Sequence, residues 1–286
     1  MSHWTRREVC RAALAGMVAA QPIRSLAQTP SSVPARTDDM IISLNTSTLR
    51  GHKLPITELI DIAAETGYRG IEPWPDDLEK YVAAGGSLRD LRRRLDDRGL
   101  KVTGAIAFSE WMVDDESARH RAHEATRRQL EMLSQIGATH MAAPPAGDVA
   151  NVSLLAAAER YHAMLELAEP FNVVPAVEVW GFARNLYRLG QVVMVALEAD
   201  HPRACILPDV YHLYKGGSGF SGLRQIAGRF YGGFHLNDIP HNPPPREELT
   251  DAHRVYPGDG IAPLVQIVRD LRSVGYAGPL SVELFN

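Results

Sequence analysis

Cysteine is scarce in this sequence, where Cys10 and Cys205 are the only two among 286 residues. Two cysteines are too few for the disulfide framework of a small secreted domain, so the fold must depend on a hydrophobic core. Positive charge is not in excess either, because 34 acidic residues against 30 lysines and arginines leave a formal net charge of -4. We therefore expect no nucleic-acid partner and no stable membrane association, since a basic surface is what attracts both.

A long hydrophobic run is missing from the N-terminal region. Ala12–Ala20 is apolar but falls short of the ~20 residues that a membrane-spanning helix needs. This run follows the paired arginines Arg6 and Arg7 and precedes Ser25-Leu26-Ala27, which is the order of a secretory signal. The paired arginines resemble those of a twin-arginine signal. The sequence thus predicts such a signal over 1–27 and a linker over 28–39. The protein would be periplasmic or secreted, or cytoplasmic if the signal does not function.

Short apolar runs alternate with amphipathic stretches from Met40 onwards. Eight of the runs predict strands: Ile41–Asn45, Gly70–Trp74, Lys101–Phe108, Ala138–Ala143, Val173–Trp180, Ala204–Leu207, Tyr231–Leu236 and Leu280–Leu284. Seven stretches between them predict helices, the longest being the third: Pro55–Thr66, Leu88–Arg98, Glu116–Ile136, Ser153–Glu169, Gln191–Ala199, Gly222–Ala227 and Ile261–Val274. No glycine-rich fingerprint follows the first strand, which argues against a dinucleotide-binding fold. The alternation predicts one domain over 40–286, a (β/α)8 TIM barrel of the α/β class.

The sequence ends at Asn286, directly after the eighth predicted strand. The barrel is therefore expected to lack its eighth helix, which leaves the outer face of the first and last strands to be covered by something else. The segment after the signal or a second copy of the chain in a homo-oligomer would cover it.

Ionisable residues stand at the carboxyl ends of five predicted strands: Glu72, Glu178, Asp209, His235 and Glu283. Active sites of TIM barrels lie at these ends, and a buried charge is costly unless it is paired or coordinated. The last four come from consecutive strands and can converge on one rim. Three carboxylates and one imidazole suit a divalent ion such as manganese, magnesium or cobalt, with zinc also possible. For any one of these residues alone, a structural ion pair is the alternative.

Residues beside these strand ends predict a substrate pocket. The loop after the seventh strand, 239–260, is long and carries His241, His253 and Arg254, and long loops at a catalytic face are usually functional. Trp74 and Trp180 lie at or just beyond strand ends, where they could stack on a sugar ring or simply pack at the rim. We assign Glu72 and Asn237 to the same predicted pocket.

Five motifs in this order resemble the xylose-isomerase-like barrel superfamily, in its sugar phosphate isomerase/epimerase group. They are Val177-Glu178-Val-Trp-Gly, Asp209-Val-Tyr-His212, His235-Leu-Asn-Asp238, Arg254-Val-Tyr-Pro-Gly-Asp-Gly260 and Ser281-Val-Glu283-Leu. The resemblance covers nearly all of 40–286. It implies a single divalent metal ion, with manganese favoured, held by Glu178, Asp209, His235 and Glu283. It also implies a substrate-binding role for His212.

The ketose 3-epimerases of this group imply catalytic roles for Glu178 and Glu283. One glutamate would remove the proton next to the carbonyl, and the other would return a proton to the opposite face of a metal-bound enediolate. Two positions depart from that pattern. The epimerases carry a glutamate six residues after the first one, where this sequence has Arg184, and an arginine six residues after the metal histidine, where it has His241. The predicted activity is that of an isomerase or epimerase on a keto-sugar or related polyol ketone.

Three alternatives stay open on the same residues. A lyase would share the first step, as in inosose or dehydroshikimate dehydratases and enzymes that eliminate the aglycone of 3-keto-glycosides. An apurinic-site endonuclease shares the barrel, and Asp251-Ala-His253 resembles its aspartate–x–histidine pair. However, the third and fourth strands end in Ala107-Phe108 and Ala143-Pro144 rather than in histidines, and the net charge is negative. A non-catalytic sugar-binding protein is disfavoured because the metal set and both carboxylates are complete.

Overall fold

The structure is a computed structural model that describes residues 40–285. The signal and linker predicted over 1–39 lie outside the described residues, so both stay predictions. Within 40–285, no helix is long and apolar enough to cross a lipid bilayer.

Eight short parallel strands form the centre of the fold. Strands β1 to β8 are Ile42–Asn45, Gly70–Glu72, Lys101–Val102, His140–Ala143, Val174–Glu178, Ile206–Leu207, Phe234–Leu236 and Leu280–Val282. Five of them pair in the order β3-β2-β1-β8-β7, and three pair in the order β4-β5-β6. Two isolated β-bridges connect these two sheets into a closed ring. Ile106 pairs with Ala142 between the β3 and β4 segments, and Ile206 pairs with Tyr231 between the β6 and β7 segments. This is the predicted (β/α)8 barrel.

Helices surround the strands on the outside. Helices α1 to α8 are Ile56–Glu65, Pro75–Ala83, Leu88–Asp97, Glu116–Ile136, Leu154–Ala168, Leu189–Glu198, Val210–Gly216 and Leu264–Ser273. In the part of the chain that the structure describes, the connections contain six 3-10 helices: Thr46–His52, Glu169–Phe171, Ser221–Gln225, Gly228–Phe230, Arg246–Glu248 and Asp251–His253. In α3, Leu88, Leu91 and Leu95 are buried while Arg89 and Arg93 are exposed, so the helix covers the barrel with one apolar stripe.

The interior of the barrel is filled by small and medium side chains. Ile106, Ala142, Ala176, Cys205 and Leu207 form one buried cluster there. A Cβ on Gly232 would lie 2.8 Å from the sulfur of Cys205 and 2.9 Å from the Cβ of Ala176, so only glycine allows this close packing. His140 begins β4, at the amino end of the strands and away from the site, as its position in the sequence predicts. The packed interior leaves the carboxyl ends as the open face of the barrel.

Candidate metal centre and active site

Parallel pairing brings the predicted ligands to one end of the barrel. Glu178 is the last residue of β5, His235 lies within β7, and Asp209 and Glu283 follow β6 and β8. Asp209 bridges directly to His235, and Glu178 pairs with Leu207 two residues before Asp209. All four residues are at most 3% exposed. The strand registers therefore place four ionisable groups in one buried cluster.

Three of these residues meet the geometry of a metal site. One ligand atom each of Asp209, His235 and Glu283 lies within 4.8 Å of the other two. His235 Nδ1 is 3.3 Å from Glu283 Oε2 and 3.9 Å from Asp209 Oδ2. Glu178 stands outside this triad but adjoins it, with its Oε1 3.7 Å from the same nitrogen.

Two observations indicate that the side chains of Asp209, His235, Glu283 and Glu178 could bind a divalent ion. Separations of 3 to 4 Å between ligand atoms are those expected around one ion with bonds of about 2.0–2.2 Å. His235 Nδ1 and Glu178 Oε2 are buried and have no hydrogen-bond partner within residues 40–285. Buried polar atoms in proteins are nearly always satisfied. A metal ion bound between His235 Nδ1 and Glu178 Oε2, beside the carboxylates of Asp209 and Glu283, would give both unpaired atoms a partner.

Glu72 holds the other nitrogen of the same imidazole. His235 Nε2 lies 3.2 Å and 3.1 Å from the two carboxylate oxygens of Glu72. Asn45 and Ser281 also donate to Glu72, at 3.0 Å and 2.6 Å. Gly104 makes room for this carboxylate, because a Cβ there would lie 2.8 Å from Glu72 Oε1. A carboxylate on one nitrogen fixes the orientation of the ring and directs the other nitrogen to the ligand cluster. The structure thus places Glu72, which we predicted to bind substrate, behind His235.

Arg254 supplies the positive charge that balances the acids. It is 1% exposed, and its Nη1 donates to Asp209 Oδ2 at 2.8 Å and to Glu283 Oε2 at 3.0 Å. Arg254 Nε donates to Asp251 Oδ1 at 3.1 Å. Arg254 Nη2 lies 3.1 Å from His212 Nε2, and this nitrogen must be the acceptor because a guanidinium can only donate. Arg254 therefore connects two predicted metal ligands to the imidazole of His212.

Asn237 and His212 occupy different places around Asp209. The amide of Asn237 donates to Asp209 Oδ2 at 2.7 Å and to the Glu283 carbonyl at 3.3 Å, so it holds the acids in position. Asp209 Oδ1 accepts from the backbone of His212 at 2.7 Å and caps α7. This cap begins α7, a helix that was not among those predicted, and His212 in its first turn lines the cavity above the acids.

Burial and charge oppose each other in the pKa values of these groups. Burial raises the pKa of Asp209, but Arg254, His212 and His235 outweigh that effect and lower it overall. Burial lowers the pKa of His235, yet Glu283 and Glu72 raise it well above its usual value. Burial also lowers the pKa of His212 to about 3, against the opposite effect of Asp209. Burial raises the pKa of Glu178 well above its usual range, although His235 opposes it, and the charges of Glu283 and Asp209 raise it further. The site thus holds His212 neutral beside a carboxylate that is costly to ionise without a cation.

A cavity of about 450 Å³ opens above these residues. Its lining includes Glu178, His212, Asp251, Arg254 and Glu283 on the polar side, and Trp74, Ile106, Phe108, Trp180 and Phe285 on the apolar side, with Arg50 beside them. Trp74 stacks on Phe108 with ring centroids 5.7 Å apart, and Phe108 meets Trp180 edge-on at 5.3 Å. The cavity accordingly has a charged floor and an aromatic wall, which suits a ring whose edge is polar and whose face is apolar.

Two predicted substrate residues lie elsewhere. His241 is exposed and does not line this cavity. His253 contacts Thr250 through its Nδ1 at 3.0 Å and caps a 3-10 helix. Their substrate roles stay predictions. The sequence reasoning missed Phe108, Phe285 and Arg50, although Phe108 ends the third predicted strand at the place where the other strands carry their site residues.

Residues 60–286 match the sequence pattern of the xylose isomerase-like TIM barrel family. The chain belongs to this family. A 3-dehydroshikimate dehydratase of Pseudomonas putida is 24% identical over 241 residues, which cover 81% of this chain but 36% of that protein. The chain therefore spans about a third of the length of that relative. An inosose isomerase of Bacillus velezensis is 25% identical over 236 residues, which cover 79% of this chain and 82% of that protein.

A solved structure supports the fold. The crystal structure of the IOLI protein with a zinc atom superposes with a TM-score of 0.75 at 22% identity, covering 86% of this chain and 90% of that one. Identity at this level shows a common barrel. The two curated relatives are both named as enzymes, one an isomerase and one a dehydratase.

Proposed function

We propose that this protein is a divalent-metal-dependent isomerase or epimerase that acts on a small keto-sugar or related polyol ketone. The observation that carries the proposal is the pairing of Glu178 and Glu283 on one cavity, around a histidine nitrogen that lacks a hydrogen-bond partner within residues 40–285. Family membership and relatives named as an inosose isomerase and a dehydroshikimate dehydratase support chemistry on small cyclic or open-chain polyol ketones.

Asp209, His235 and Glu283 would hold the metal ion, with Glu178 as the fourth ligand. When bound, the ion would polarise the substrate carbonyl and offset the negative charge that develops on its oxygen. Oxygen-rich ligands favour manganese, with magnesium or cobalt as alternatives. Zinc is supported by the zinc atom in the IOLI structure.

The two glutamates would move the protons. Glu178 lines the cavity, and with one carboxylate oxygen on the metal ion its other oxygen would accept a proton from the carbon next to a carbonyl. Glu283 reaches the same cavity from β8, with its Oε2 held by Arg254 at 3.0 Å. Glu178 comes from the end of β5 and Glu283 from the end of β8, so the two carboxylates would reach a bound ring from two different strands. Trp74 and Trp180 would hold the ring face and limit the access of water.

A dehydratase or other lyase is the second candidate. The relative of Pseudomonas putida named 3-dehydroshikimate dehydratase favours it, over 81% of this chain. Proton removal by Glu178 or Glu283 would be the same first step, and the reaction would differ only in whether the enediolate is reprotonated or expels a β-substituent.

Proton NMR in deuterated water separates these outcomes. The manganese-loaded protein would be incubated with a panel of ketoses, inososes and 3-keto-glycosides, and manganese would be removed before the spectra are recorded. Deuterium next to the carbonyl with an intact carbon skeleton supports an isomerase or epimerase. Exchange with loss of water or of an aglycone supports a lyase. Absence of exchange throughout the panel would refute ketone enolisation as the reaction.

Matched variants test the two proton carriers. Glu178→Gln and Glu283→Gln keep the size of each side chain but remove the base, so each should lower turnover by about 10²–10⁴-fold. Their thermal unfolding midpoints without metal serve as the control for folding, and Glu131→Gln on the exposed face of α4 serves as the control substitution. Appreciable turnover in both site variants would remove these residues from the chemistry.

A further inference from the structure

A second cavity adjoins the first at the carboxyl end of the barrel. It lies between the 3-10 helix Thr46–His52 that follows β1 and the helices α1 and α2. Its volume of about 630 Å³ exceeds the roughly 450 Å³ of the cavity above the ligands. Each volume alone falls in the range of small-molecule pockets, about 300–1,000 Å³. The residues that line only the second cavity have no part in the metal binding or proton transfer proposed for the first.

Trp74 and Arg50 line both cavities and form the boundary between them. The indole Nε1 of Trp74 donates to Asn45 Oδ1 at 3.0 Å, which fixes the plane of the ring. The Arg50 guanidinium lies 5.2 Å from the Trp74 ring centroid and 5.0 Å from that of Phe285. A molecule that reaches from one cavity to the other must pass along this rigid aromatic and cationic edge.

The second cavity combines aromatic faces with polar groups. Tyr81 contributes an aromatic ring that lies over Gly86, where a Cβ would come within 2.4 Å of the ring, so glycine leaves the space that this ring occupies. Ile56 and Leu59 are buried on its apolar side. Ser47 is 3% exposed, and its hydroxyl has no hydrogen-bond partner within residues 40–285. A buried hydroxyl without a partner is costly, and a ligand hydroxyl or ring oxygen in this cavity would satisfy it.

We propose that the second cavity is a subsite for the second ring of a glycoside whose keto ring lies in the first cavity. This inference rests on the proposed function, since it specifies the substrate class of the same site. Trp74 and Arg50 line both cavities, so the two are neighbours, and together they offer room and aromatic rings for two joined rings rather than for one small sugar. The attached ring is either a sugar or an aromatic aglycone, both of which present a flat face to Trp74 or Tyr81.

The test compares the kcat/KM of one-ring and two-ring ketones in the wild type, where the second cavity is open, and in a variant with a larger side chain at its lining. The probes are 3-keto-glucose, phenyl 3-keto-β-glucoside and 3-keto-cellobiose, each followed by exchange of the proton next to the carbonyl in deuterated water. Ala84→Phe places a ring at the lining of the second cavity, and Ala83→Phe is the matched control, because Ala83 is the adjacent residue, is likewise exposed and does not line the cavity. We expect kcat/KM of the wild type to be about tenfold higher for a two-ring probe than for 3-keto-glucose. Ala84→Phe should remove this preference, and Ala83→Phe should retain it.

Binding of unreactive sugars keeps this test separate from that of the proposed function. If the wild type exchanges none of the ketones, the proposed function fails, and calorimetric titration with phenyl β-glucoside and cellobiose then decides on the subsite. Binding that Ala84→Phe weakens and Ala83→Phe retains supports it, and the preferred probe tells an aromatic aglycone from a second sugar. Three results would each overturn the subsite. The first is equal kcat/KM of the wild type for one-ring and two-ring probes. The others are equal effects of Ala84→Phe and Ala83→Phe, and no binding of either phenyl β-glucoside or cellobiose.

Discussion

Glu72 and His235 show how a buried site satisfies its charges residue by residue. Glu72 is 3% exposed and accepts from three side chains, among them His235 Nε2. A carboxylate in that position keeps a proton on Nε2, so that Nδ1 is the nitrogen whose proton a metal ion would displace and whose lone pair would bind the ion beside Asp209 and Glu283. The sequence predicted that Glu72 belongs to the site because it ends a strand. Its placement behind the histidine depends on Asn45, Gly104 and Ser281, which come from three other segments and which no local pattern connects to it.

Glu72→Gln should weaken metal binding while the barrel stays folded. The amide cannot offer the imidazole two charged oxygens, and loss of such a partner typically costs about 10–100-fold in metal affinity. Isothermal titration with manganese and with zinc measures the effect without a substrate. Glu131→Gln on the exposed face of α4 is the control and should bind metal like the wild type. Unchanged affinity in Glu72→Gln would show that Glu72 does not orient His235.

Asp209→Asn should remove most of the metal affinity and leave α7 in place. The remaining side-chain oxygen can still accept from the backbone of His212, as Asp209 Oδ1 does at 2.7 Å, so the helix cap survives. The charge that faces His235 is lost, and with it about tenfold or more in affinity for a hard divalent cation. Metal content after dialysis against buffered manganese, together with the circular dichroism of the same sample, checks both parts. Normal metal stoichiometry at wild-type affinity would place the metal site elsewhere.

Helices whose start and end signals lie in their own sequence could be predicted, and helices that depend on other parts of the fold could not. The 21 residues of α4 begin after the Asp115 cap and end before Gly137 in a left-handed conformation, and the predicted bounds agree with the structure. Helix α7 was missed because Val210–Gly216 has seven residues and depends on Asp209, a site residue, for its cap. Helix α2 was missed although Pro75 opens it and Asp76 and Asp77 lie in its first turn, which are ordinary signals for a helix start.

The cap of α4 makes a prediction about this element. Asp115 accepts from the backbone of Ala118 at 2.7 Å, which satisfies one of the amides that the first turn leaves unpaired. Asp115→Ala should lower the free energy of unfolding by about 1 kcal/mol. Urea titration followed by circular dichroism measures the change. Arg121→Ala, on the exposed side of the same helix, should change it by less than about 0.5 kcal/mol. A loss in Asp115→Ala no greater than in Arg121→Ala would contradict the capping role.

The closed barrel explains why the sequence could point to four residues of the candidate site but not to the side chains of the cavity wall. Each strand delivers its end to the same face, so the repeated strand-plus-acid pattern at Glu178, Asp209, His235 and Glu283 sufficed. The wall needs side chains from different loops to meet across that face. Trp74 and Phe108 lie after β2 and in the segment after β3, and Phe285 meets Trp74 at 6.1 Å only because β8 pairs with β1. Contacts of this kind follow from ring closure, which a local pattern does not reveal.

Ring closure also bears on where the metal would be acquired. Asn45 and Glu283 contact one another at 3.4 Å across 238 residues of sequence, so the candidate site exists only in a folded chain. We propose that the protein folds before it is exported through the twin-arginine signal predicted over 1–27. Replacing Arg6 and Arg7 with lysine should retain the protein in the cytoplasm, because the paired arginines are the feature that defines such a signal. Cell fractionation followed by immunoblotting measures this, and Arg11→Lys, outside the pair, should be exported like the wild type. Periplasmic accumulation of the double-lysine variant at the wild-type level would rule out the twin-arginine signal.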